Sequence, residues 1–168
     1  YTAALAGLEV EGEDDALITQ LRLDLLGRLA RALEDQGKFS EARRRLEQAV
    51  ALIESGVSGI EPDLPDYGRI ALALARVYHR EGRLEEARTA LARGMQTLER
   101  HQRTGDLVEA LVLEGLLRMD VGELEAAAGI FSRALELATT AGLTAGRMRA
   151  LHNLHILEKR RGDLHAAV

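Results

Sequence analysis

The chain has 168 residues, 46% hydrophobic and 29% charged, with a formal net charge of −5, a composition ordinary for a folded domain with a sizeable core. It has no cysteine, which excludes disulfides, thiolate metal ligands and a cysteine nucleophile, and fits a reducing compartment such as the cytoplasm. The acidic balance speaks against dedicated nucleic-acid binding, no apolar run approaches the roughly 20 residues that cross a bilayer, and 3% aromatics with two prolines point to helices.

In chain order, the opening "YTAALAGLEV" matches "FSRALELATT" at 131–140, so residues 1–12 are expected to form the second helix of a hairpin whose first helix is missing. Three full repeats follow over 15–56, 66–103 and 106–141, and 143–168 is expected to be a partial repeat ending one turn into its second helix. Both ends would expose apolar faces, which a complete solenoid caps; the expectation is a fragment of a larger parent, with self-association through the uncapped ends.

The repeats announce themselves in one turn written four times: "DQGKFSEA" (35–42), "REGRLEEA" (80–87), "DVGELEAA" (120–127) and "RRGDLHAA" (160–167). Their glycines, Gly37, Gly82, Gly122 and Gly162, stand 45, 40 and 40 residues apart, a period typical of solenoids. Apolar residues recur at helical spacing on both sides of each glycine, as in Leu26, Ala30 and Leu33 before Gly37 and Phe39, Ala42 and Leu46 after it. Each unit therefore reads as a helical hairpin. Small residues such as Ala30, Ala75 and Gly115 let the two helices approach, and glycine ends the first helix because it takes the left-handed conformation without a Cβ penalty.

Small residue, glycine turn, aromatic or leucine, and alanine at these spacings resemble the tetratricopeptide repeat. The resemblance implies an all-α fold, a right-handed α-solenoid of antiparallel helical hairpins. These units are longer than the family's usual 34 residues, similar to the repeats of kinesin light chains and large bacterial regulators, and Glu54, Glu99 and Thr139 stand where a proline usually closes the second helix.

Two connectors stand apart from this pattern. Residues 55–68, "SGVSGIEPDLPDYG", hold both prolines and read as a helix-breaking insertion of the kind surface loops accept. "GLTAG" (142–146) reads as a turn rather than a membrane dimer motif. Signatures of catalysis are missing: no phosphate-cradling loop, no His-Glu-x-x-His helix and no nucleophile elbow. His152, His155 and Glu158 share helical spacing, but two histidines and a carboxylate without a fourth ligand read as surface residues. No enzyme, metal or cofactor is expected.

Recognition remains. In the family, first helices line a concave groove, with groove-facing places two, three, six, nine, ten and thirteen residues before the turn glycine. Carried over, those 24 places hold eight Lys or Arg and five Asp or Glu, against 22 and 27 in the whole chain. The candidate partner-binding residues are Arg28, Arg31, Arg69, Arg76, Arg80, Leu116, Arg149, His152 and Asn153, with an apolar strip from Val112 to Met119. Arginine forks grip carboxylates and an apolar floor takes hydrophobic anchors, so the expected partner is a protein or peptide, acidic with hydrophobic anchors. The competing reading rotates the third unit's first helix, putting Leu113 and Leu116 in the core and Glu114 with Arg118 outside as an i,i+4 pair. Two functions follow: a protein-interaction scaffold, or a ligand- or peptide-sensing segment of a larger regulator.

Overall fold

A computed structural model describes residues 16–55 and 65–166, besides the isolated Ala3. Among the described residues it holds seven α-helices and no strand: α1 Ala16–Asp35, α2 Phe39–Glu54, α3 Pro65–Arg80, α4 Leu84–Arg100, α5 Thr104–Asp120, α6 Leu124–Thr140 and α7 Thr144–Ala166. The chain divides into two compact units between Thr97 and Leu98, within α4. The expected helix over 1–12 and most of the 55–68 connector lie outside the described residues. Pro65 opens α3, where its missing N–H costs nothing.

The three-residue turns share one geometry. In Gln36-Gly37-Lys38, the Gly37 N–H donates to the Glu34 carbonyl at 2.9 Å and the Lys38 N–H to the Leu33 carbonyl at 2.9 Å. This 5→2 and 6→1 pair is the Schellman closure, which satisfies the last carbonyls of the helix and needs its middle residue left-handed. It recurs at Gly82, Gln102, Gly122 and Gly142, all at positive φ. Gly37, Gly82 and Gly122 are the turns expected from the sequence, and Gly142 confirms that "GLTAG" is a turn. Gly162 departs from expectation: it has no positive φ, and α7 runs through it as one helix. Glycine permits the left-handed state without requiring it.

Packing inside the hairpins rests on a matched pair of places, seven before and nine after the turn glycine. They are held by Ala30 and Leu46, Ala75 and Leu91, and Gly115 and Phe131, all buried. The third pair is size-compensated. A Cβ on Gly115 would lie 2.6 Å from Phe131 Cδ1, so the phenyl ring sits against the bare backbone of α5. Close approaches also occur where a Cβ on Gly94 would stand 3.1 Å from the Gly68 carbonyl, and one on Gly146 2.7 Å from Val108 Cγ1.

The glutamates in the proline's place have an answer. Glu54 pairs with Arg93 at 3.2 Å in the first unit, and Glu99 pairs with Arg133 at 3.3 Å in the second. In each case a residue 17 places after one turn glycine reaches a residue 11 places after the next. Proline there would end the second helix; glutamate extends it and ties it to the next one. Each pair is exposed and weak alone.

Two stability measurements follow. Gly115→Ala is expected to cost about 1–3 kcal/mol by overpacking, and Phe131→Leu on top of it to restore most of that loss, since the pair then reproduces Ala75 and Leu91; losses that simply add in chemical denaturation would contradict this. Gln102 holds φ 51° without glycine's freedom, so Gln102→Gly is expected to raise stability by about 0.5–1 kcal/mol, read as a higher denaturation midpoint.

Candidate partner-binding site

In the first unit, α1 and α3 present the expected arginines. Arg76 of α3 forms a fork on Glu34 of α1, with Nε at 2.8 Å from Oε2 and Nη2 at 3.0 Å from Oε1. The Arg76 and Glu34 side chains are 32% and 12% exposed, so Arg76 holds two first helices together instead of standing ready for a partner. Arg28 pairs with Asp24 at 2.8 Å and Arg69 with Asp66 at 3.3 Å, all exposed. Arg31 and Arg80 are exposed and, among the described residues, make no ion pair. The same face leaves one carboxylate likewise unpaired, that of Asp35.

In the second unit, α5 is buried on nearly every side, including Val112, Leu113 and Met119. The expected apolar strip therefore contracts to Leu116, which is half-buried. The competing rotated reading is also met in part: Leu113 is in the core, and Glu114 faces Arg118 at 3.9 Å at the surface. Arg118 bonds more closely to Glu123, at 2.7 Å, and this neighbour holds the guanidinium above its ordinary pKa.

On α7, Arg149 pairs with Glu109 of α5 at 2.7 Å. His152 is exposed, whereas Asn153 is 8% exposed and donates from Nδ2 to the Arg149 carbonyl at 2.9 Å. Asn153 thus packs with Ala150 and Leu157 and offers little to a partner. Met148 and Leu151, 65% and 49% exposed, stand at the places where Leu23 and Leu26, or Val108 and Leu111, pack inside the earlier hairpins. Glu158 pairs with Arg161 at 2.7 Å, and among the described residues no group of three metal-ligating side chains assembles.

The sequence brought the right helices together, since Glu34 meets Arg76 and Glu109 meets Arg149 on places assigned to one face. What it missed is that these charges satisfy one another. A signal existed: Glu109 and Arg149 stand 13 residues before successive repeat glycines, and equal places on stacked first helices are neighbours.

The model of the tetratricopeptide repeat family matches residues 28–100. The chain contains tetratricopeptide repeats. No curated protein matches the sequence. Among solved structures, the repeats are similar to BtubC (BKLC) from P. vanneervenii, with TM-score 0.82 and 18% identity over 98% of this chain. They are also similar to the Rap conjugation gene regulator of the plasmid pLS20, solved in complex with the Phr* peptide, with TM-score 0.74 and 14% identity over 94% of this chain. The chain spans 65% and 43% of those two structures' own chains, and the likeness is one of fold. Among the described residues no helix is long and apolar enough to cross a membrane.

Separating the two kinds of arginine is a matter of stability. Arg76→Ala strands the half-buried Glu34 carboxylate and is expected to cost about 1–3 kcal/mol, whereas Arg31→Ala should stay within about 0.5 kcal/mol. Equal effects in urea denaturation would show that the fork carries no structural weight.

Proposed function

We propose that the chain is a protein-interaction scaffold that holds a peptide or partner domain on the face formed by the first helices of its repeats, without chemistry of its own. The observation that carries this reading is the pair of free guanidiniums, Arg31 and Arg80, left on the α1 and α3 face of a chain whose net charge is −5. A carboxylate partner meets them without first breaking an intramolecular bond, unlike at Arg28, Arg69, Arg76 or Arg149. In the second unit Leu116 and His152 are the accessible members of the corresponding face. The partner we favour is a peptide that carries Asp or Glu, with a hydrophobic side chain as anchor.

A peptide-sensing role within a larger regulator is the second reading, and it is favoured by one comparison: the Rap regulator of similar fold was solved with a peptide bound. In that reading the peptide shifts the repeats between arrangements; in the first it is simply held.

The test is calorimetric titration with an array of ten-residue peptides that contain one leucine and two to four acidic residues. Arg31→Glu combined with Arg80→Glu should weaken the acidic binders about tenfold, since each exposed contact is worth up to about 1 kcal/mol. Raising salt from about 0.05 to 0.5 M should weaken the parent and leave the variant nearly unchanged. Acidic peptides that bind the variant as well as the parent would remove this face from the reading.

A further inference from the structure

The side of the first unit formed by its second helices carries a groove of about 430 Å³, open to solvent, between α2 and α4 with α3 as its floor. Its volume falls within the roughly 300–1,000 Å³ of ordinary ligand pockets. The groove exists because the residues nearest each other are small: Ala51 on α2, Ala71 on α3 and Ala90 on α4 leave room above Leu74 and the rings of Tyr67 and Tyr78.

The rim is acidic. Glu47 and Glu54 stand on α2 and Glu85 and Glu86 on α4, against one guanidinium, Arg93. Most are already engaged. Glu47 accepts from Arg43 at 2.9 Å and from the Tyr78 hydroxyl at 3.0 Å. Glu54 accepts from Arg93 at 3.2 Å and from the Tyr67 hydroxyl at 3.4 Å, and Glu86 pairs with Arg83 at 2.7 Å. Glu85 makes no ion pair among the described residues. With Arg43, its second partner Glu81 and Arg83 included, five carboxylates face three guanidiniums. Burial, and then the neighbouring glutamate, raises both tyrosines above their ordinary pKa, so their hydroxyls stay donors to the rim at neutral pH.

An apolar floor under a rim with excess negative charge selects a group that is apolar at its body and cationic at its edge. We infer that this groove is a second docking surface, which takes an apolar side chain of a protein partner together with a lysine or arginine beside it that meets Glu85. A free small cation would leave most of its surface in water in so open a groove, whereas a peptide continues past both ends and adds contacts along α2 and α4. The surface is opposite in sign to the one that offers Arg31 and Arg80, and it stands or falls independently of it.

The probes are two ten-residue alanine-based peptides, one with a central leucine flanked by lysines and the other with the same leucine flanked by glutamates. Each is titrated into the isotope-labelled full chain while amide shifts are followed by NMR. The lysine peptide should shift the amides of Ala51, Leu74, Glu85 and Ala90, leave those of Arg31 and Arg80 in place, and bind at least about fivefold more weakly to Glu85→Lys. Ala51→Trp, at an exposed place on α2, should fill the groove and abolish the shifts; if its melting curve shows misfolding, Glu85→Lys decides alone. The inference is overturned if neither peptide binds, if the glutamate peptide binds equally well, or if the shifts map outside the groove.

Discussion

The repeats depend on a single backbone requirement, a residue at positive φ in the centre of a three-residue turn. Once that residue closes its helix by the paired 5→2 and 6→1 bonds, the next helix starts at once, with the third turn residue's carbonyl taking the first helical bond, as Lys38 does for Ala42 and Glu123 for Ala127. So short a link forces antiparallel helices into close contact. Every residue facing the other helix then has its volume fixed by its partner's, which is why Phe131 is matched by glycine while Leu46 and Leu91 are matched by alanine.

Charge is distributed under the same constraint. Stacked repeats bring equal places on successive helices side by side, so a carboxylate on one and a guanidinium on the next find each other over 40 or so residues of sequence. Glu109 with Arg149, Glu54 with Arg93 and Glu99 with Arg133 are all of this kind. A basic surplus counted along the sequence therefore overstates what a partner meets, because internal pairing withdraws most of it. The arginines that count for recognition are those whose repeat neighbours carry no acid within reach.

The hairpins were legible because glycine at positive φ and small residues at contacts leave marks in the sequence, as at Gly37, Ala30 and Gly115. Other features had weaker marks. Gln102 makes the same turn as the glycines with no residue type to announce it, and Gly162 carries the announcement but remains helical. In α7 the face that packs, with Ala150, Asn153 and Leu157, is the one used toward the preceding hairpin. The places that face a second helix in earlier hairpins hold exposed Met148 and Leu151 because no described helix covers them. The candidate site was legible as a face and illegible as a set of free groups: which arginine is free depends on distances between helices, and Arg76 and Arg80 differ in that respect alone.

Helix α3 shows how one segment serves two surfaces. Arg76 turns to Glu34 of α1, Tyr78 turns to Glu47 of α2, and Val77 between them is fully buried. The helix is anchored on both sides by charged or polar bonds that are only partly exposed, and these keep their geometry better than rim pairs in water. Tyr78 is further fixed by the Arg83 guanidinium, 4.7 Å from the centre of its ring. A rigid α3 means that the arginine-bearing face and the acidic groove are set by the same helix, so neither surface has to be ordered at the moment of binding, and the ordering cost that weakens flexible sites is met in folding instead.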